Sequence, residues 1–233
     1  MKSVLITGVS RGLGYELLKI YLENNWKVYA LARNIKNISS LISKYPNHCF
    51  PVEGDITENS ISEKIRFSIE SNTKILDLLI NNAGNAKKCF GIENVTTELI
   101  EDHFKVHVSS VFRVIKACLP FLIKSNNPVI INVSSRKGSI HKINTGEYRI
   151  LIPYQVAKAA QNMLTACLNQ ELRETQIKTY AIHPGNLKTD VAPPDANILP
   201  EDAAIQIYQW ILNCRELPTD FFYNISDNSI LEW

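Results

Sequence analysis

The chain has 233 residues, 45% hydrophobic and 21% charged, with a formal net charge of +2. That is ample for one sizeable core, and it excludes a disordered acidic or basic chain. No dense Lys/Arg stripe calls for nucleic acid or an acidic membrane surface, and no stretch approaches spanning length.

Along the chain, strand-like and helix-like segments alternate. Apolar, partly β-branched runs predict strands over 4–7, 28–32, 49–52, 76–81, 129–134 and 179–183. Helical periodicity occupies 12–24, 61–71, 100–124, 156–174 and 203–214. Such alternation predicts right-handed crossovers and a doubly wound α/β parallel sheet, the Rossmann arrangement, in a single domain spanning 1–233. Pro153 suits the first turn of the helix that follows the long segment 141–153. That segment and 190–200 fall at the carboxyl edge of the sheet, where ligands bind in open α/β folds.

The first strand ends in Thr7-Gly8-Val9-Ser10-Arg11-Gly12-Leu13-Gly14. A glycine-punctuated turn opening a helix lets backbone approach a pyrophosphate. The second strand ends Leu31-Ala32-Arg33, without the acid that pairs with an unphosphorylated ribose. Arg33 and Arg11 converge instead on a phosphate, which predicts NADP(H) over NAD(H). Both arginines can alternatively be solvated surface charges.

Tyr154 and Lys158 stand four apart, one turn above the other on a helix. A phenol titrates near ~10, and a neighbouring ammonium should lower that value and ready it for proton transfer. The five cysteines are far apart and form no Cys-x-x-Cys pair, so neither a disulfide framework nor a metal site is expected. No targeting segment is visible, and a cytoplasmic protein is expected.

With these residues placed, the chain resembles the short-chain dehydrogenase/reductase family over essentially its whole length. Five motifs follow in the family's order. They are Thr7-Gly8-x3-Gly12-x-Gly14 with Asp55, then Asn81-Asn82-Ala83-Gly84, then Ser134-Ser135, then Tyr154-x3-Lys158, and last His183-Pro184-Gly185 with Thr189. The similarity is closest to the compact branch of C-signal and sniffer-type carbonyl reductases. Ser135 lies nineteen residues before Tyr154, against thirteen in most of the family, as in that branch.

The resemblance implies reduction of an aldehyde or ketone by NADPH, with Tyr154 as proton donor. Ser135 would bind the substrate oxygen, and Lys158 would also hold the nicotinamide ribose. Asp55 would contact the adenine, and Ala83-Gly84 would let the cofactor pass closely. Gly8, Ser10, Leu13, Gly14, Ile56, Asn82, Pro184, Gly185, Leu187 and Thr189 complete the implied cofactor site. Family members commonly pair through their long helices, which implies a homodimer. The expanded segment before Tyr154 is expected to be too short for a helix that blocks that surface.

One position departs. Where the family has an asparagine that holds a water linking the lysine to solvent, this chain has His107. It is a tolerated polar replacement, a relay group titrating near ~6.5, or the mark of a damaged relay. The last option keeps open a nucleotide-binding signalling or regulatory protein with little turnover. His48, His103 and His141 read as surface or loop residues, and His183 as a strand-end packing residue.

Overall fold

A computed structural model describes the chain except for residues 86, 147–148 and 189–195. Among the described residues, eight strands form one sheet in the order β3-β2-β1-β4-β5-β6-β7-β8. They are β1 (Ser3–Thr7), β2 (Lys27–Ala32), β3 (Cys49–Glu53), β4 (Leu78–Asn81), β5 (Val129–Val133), β6 (Lys178–His183), β7 (Phe222–Asn224) and β8 (Ser229–Leu231). All neighbours are parallel except the β7–β8 pair. The order reverses between β1 and β4, so the carboxyl ends of those two strands flank the crevice expected of this topology.

Side-chain alternation splits the core into two layers. Val4 and Ile6 point to a layer closed by α1 (Gly12–Glu23) and α8 (Pro200–Asn213), through Leu17, Leu18, Tyr21, Ile207 and Ile211. Leu5 points to the opposite layer, closed by α3 (Ile61–Asn72) and α5 (Ser110–Leu122), through Ile65, Ile69, Val114, Cys118 and Leu122. Each fully buried Leu, Ile or Val contributes about 1.5–3 kcal/mol. Both faces are covered, which is why the central strands read as unbroken apolar runs.

Several details depart from the sequence expectations. The stretch 100–124 is not one helix: α4 (Thr97–Phe104) passes into α5 through a π-helical turn, Lys105–Ser109. A short α2 (Ser39–Lys44) precedes β3. The segment before Tyr154 does form a helix, α6 (Ile140–Asn144), because Ser139 caps it by accepting from the Lys142 N–H. The catalytic-motif helix α7 runs Ile152–Glu171 with Pro153 in its first turn, as expected.

Candidate functional site

The glycine turn between β1 and α1 is built to face a ligand. Gly8 has φ +76°, and a Cβ there would sit 2.8 Å from the Ala83 Cα. A Cβ on Gly14 would collide with the Gly8 carbonyl and the Asn82 side chain. Asn82 holds the turn in place, donating from Nδ2 to the Thr7 carbonyl at 3.0 Å. Thr7 Oγ1 in turn accepts from the Asn82 and Ala83 amides, each at 3.0 Å. Arg11 is extended and its side chain gives no cap to α1, whose first turn carries no acid. The helix's leading N–H groups and its positive end are therefore left facing the cleft, where an anion is stabilised.

That cleft is a cavity of about 530 Å³. Of the residues expected to bind cofactor, Gly8, Ser10, Arg11, Gly12, Leu13, Gly14, Arg33, Asp55, Ile56, Asn82, Ala83 and Gly84 line it. Pro184, Gly185 and Leu187 are not among its lining residues; they follow β6, where Leu187 bridges to Ile198. Thr189 lies outside the described residues. Sequence reasoning missed Thr57, Val106 and Lys188, which also line the cavity. Lys188 adds a third cation to Arg11 and Arg33, and a basic residue three positions after His183-Pro184-Gly185 was the available signal. Burial acts to raise the Asp55 pKa, but hydrogen bonds from Thr57 and the charges of Arg33 and Lys105 outweigh it. The carboxyl stays below its usual range. Three cations, a glycine cradle and an open helix start fit a dinucleotide carrying an additional phosphate.

His107 abuts Gly84, and Tyr154 packs on His107 with Ser135 and Lys158 beside it. Ser135 lies two residues beyond β5, close enough to the Tyr154 phenol for its hydroxyl to favour the phenolate. Lys158 is buried; its Nζ donates to the Val133 carbonyl and to Gln161 Oε1, both at 2.8 Å, and lies 5.8 Å from the Tyr154 ring centre. Burial lowers the ammonium's pKa to about 7. The expected lowering of the Tyr154 pKa is not what the ligand-free geometry gives. Burial raises it and the Ser135 hydroxyl only moderates the rise. The phenol is therefore held in its protonated form.

His107 sits in the π-turn, its ring edge-on to Tyr154 with centroids 5.5 Å apart. Its Nε2 lies 2.8 Å from the Asn85 carbonyl, an acceptor only, so Nε2 carries the proton and Nδ1 is left as an acceptor. Burial first, and then the Lys158 charge, lower its pKa to about 2. Burial therefore favours a neutral imidazole over a relay group titrating near neutrality.

His103 is a second correction. It is fully buried rather than at the surface, stacked on His107 with centroids 6.1 Å apart and edge-on to Tyr154 at 6.4 Å. Its Nδ1 pairs with the Leu99 carbonyl at 2.9 Å. His183 is buried at the end of β6, as expected. Burial lowers its pKa to about 3.

A buried polar chain mounts this centre on the sheet. Asn81 donates to Asn132 at 2.9 Å, Asn132 donates to Thr165 at 2.9 Å, and Thr165 donates to the Gln161 carbonyl at 2.9 Å. Gln161 then accepts from Lys158. Beside it, Ser134 donates to Asn162 at 2.6 Å, and Asn162 donates to the Gly138 carbonyl at 3.3 Å.

The described residues hold no cluster of metal-ligating side chains, and no helix is long and apolar enough to cross a membrane.

Comparisons with known proteins agree with this geometry. Residues 2–197 match the family model for short chain dehydrogenase. The NADPH-bound carbonyl reductase from chicken fatty liver superposes with a TM-score of 0.91 at 28% identity, covering 100% of this chain and 99% of that one. The carbonyl reductase Sniffer of D. melanogaster superposes at 0.92 with 30% identity, covering all of both chains. An oxidoreductase of Botryotinia fuckeliana is 32% identical over 80% of this chain, a match that spans 66% of its own length. Fold, cleft and motifs together make the chain a member of the short-chain dehydrogenase family.

Proposed function

We propose that the protein is an NADPH-dependent reductase of aldehydes or ketones. The observation that carries this reading is Tyr154 with Ser135 and Lys158 beside it, packed on His107, whose ring abuts the Gly84 that lines the cavity of Arg11 and Arg33. NADPH, whose phosphates the glycine turn and the two arginines would hold, supplies the hydride.

Ser135 and Tyr154 grip the substrate's carbonyl oxygen by hydrogen bonds, placed where negative charge develops. The Tyr154 O–H then passes its proton to that oxygen. A phenol held protonated by burial suits this direction of transfer. Lys158, beside the ring, stabilises the phenolate left behind. Its pKa of about 7 lets it return a proton to Tyr154 at neutral pH. His107 Nδ1 and His103 Nε2, both buried without a partner among the described residues, are acceptors for a water in this relay.

The chicken and fly structures carry the name carbonyl reductase, and an Arabidopsis thaliana relative, 28% identical over 82% of this chain, is an NADPH-dependent pterin aldehyde reductase. These names support the same substrate class. Exposed Phe112 and Met163, on α5 and α7, support a homodimer formed through those helices, and light scattering at micromolar concentration distinguishes it from the 26.4 kDa monomer. All five cysteines are free, which supports a reducing, cytoplasmic setting. The function is tested by following NADPH absorbance against a panel of aldehydes and ketones. Saturable oxidation is expected, and a protein that binds NADPH without turning over any of them overturns it.

A further inference from the structure

The Arg149 guanidinium lies over the Phe90 ring, with its central carbon 3.4 Å from the ring centre. The two residues come from the segments that follow two neighbouring strands, β4 and β5. Phe90 belongs to the segment after β4, whose Asn85 carbonyl fixes His107. Arg149 belongs to the segment after β5, three residues before α7 and five before Tyr154. Both ends of this bridge are tied down. Asn94 Nδ2 donates to the Phe90 carbonyl at 3.0 Å. Lys137 Nζ donates to the Arg149 carbonyl at 3.1 Å, while the Lys137 amide donates to Ser135 Oγ at 3.2 Å. One residue thus links Arg149 to the serine that grips the substrate oxygen.

Stacking occupies the face of a guanidinium and leaves its in-plane N–H groups available. It also removes much of the rotamer freedom that an exposed arginine would lose on binding. The two segments carry more cations than acids. Residues 82–96 and 134–153 carry Lys87, Lys88, Arg136, Lys137, Lys142 and Arg149 against Glu93 and Glu147. Lys188, which lines the neighbouring cavity, adds a further cation. Lys87 is paired with Asp102 at 3.6 Å, so Arg149, fixed on an aromatic face, is the group placed to read a ligand.

We propose that Arg149, held by Phe90, forms an anion-reading subsite, and that the substrate is a carbonyl compound carrying a carboxylate or phosphate away from the reacting carbon. The proposal rests on the reductase reading and sharpens it. A planar fork of N–H donors matches both anions. The excess of cations also draws such a substrate inward, an attraction that weakens with salt.

The test compares 4-carboxybenzaldehyde with its methyl ester at saturating NADPH, with 4-formylphenyl phosphate as a third substrate. The acid is expected to exceed the ester in kcat/KM by at least about tenfold, through KM, a difference of roughly 1.4 kcal/mol. Arg149→Gln should bring the ratio close to one, and Arg149→Lys should keep part of it. A larger advantage for the phosphate ester than for the acid assigns the subsite to phosphate, and the reverse assigns it to carboxylate. An ester as good as the acid, or a preference that survives Arg149→Gln, overturns the proposal. If none of the aldehydes is reduced, the reductase reading fails. The subsite is then judged separately, by calorimetric titration of terephthalate into the NADPH-saturated protein and its Arg149→Gln variant. Weaker binding to the variant sustains it, and equal or undetectable binding to both overturns it.

Discussion

His107 meets Tyr154 edge to face at 5.5 Å, and its proton is pinned to Nε2 by the Asn85 carbonyl. A neutral imidazole at this position has a thermodynamic signature. Its folded pKa, about 2, lies below the unfolded value near ~6.5. Between those values the unfolded chain binds the extra proton, so stability is fully present above ~6.5 and is lost as pH falls through this window.

His107→Asn should therefore flatten the fall of denaturation midpoint between about pH 6.5 and 4. His183, with a folded pKa of about 3, leaves a residual slope of the same sign. The same variant should leave the neutral-to-acid rate profile without a lost inflection, because His107 does not titrate there in the folded state. Midpoints for parent and variant that run parallel with pH would contradict the neutral imidazole.

Tyr154→Phe removes the proposed proton donor while keeping the ring against His103 and His107. Turnover should fall by at least about a hundredfold, the lower end of general acid catalysis. Fluorescence titration should find NADPH affinity little changed. Turnover close to that of the parent would take the phenol out of the chemistry.

Cofactor preference is expected to be set at the end of β2, where Ala32 and Arg33 line the cavity. NADPH should bind at least about tenfold tighter than NADH, roughly 1.4 kcal/mol. Ala32→Asp should reverse the order, because a carboxylate there repels a 2′-phosphate and accepts from a free hydroxyl. Paired titrations with both nucleotides check this, and an unaltered ratio in the variant would place the discrimination elsewhere.

Gly14→Ala drives a methyl into the Gly8 carbonyl and the Asn82 side chain. Overpacking of this kind costs about 1–3 kcal/mol, measurable as a lower urea midpoint. Because the displaced groups shape the phosphate turn, NADPH binding should weaken along with stability. A variant with parental affinity would show that the turn adapts.

The first six strands were legible because a sheet covered on both faces demands continuous apolar runs. The last two strands are three residues each, too short to show any period. The π-turn at Lys105–Ser109 was hidden for the opposite reason. One additional residue per turn leaves the apolar spacing of α4 and α5 looking continuous, and the sequence reads as one long helix. The candidate catalytic residues stood out through their spacing, but their electrostatics did not. His103 reads as a surface histidine until α4 is packed against α7, and the pKa of His107 follows from burial that no local pattern records. The Phe90–Arg149 stack joins residues 59 positions apart and had no linear signal.

The face that α7 turns toward the sheet is polar where an amphipathic helix ordinarily presents grease: Lys158, Gln161, Asn162 and Thr165 are all buried and bonded. Apolar contacts tolerate a helix that slips or rolls by a fraction of an ångström, whereas directional bonds to Asn132, Ser134 and Val133 do not. Register is thereby chosen over adaptability, and a partial loosening would strand several buried donors at once. The amides of 158–165 should consequently exchange with solvent deuterium only through global unfolding, at one common free energy, with no separate breathing motion of the catalytic helix.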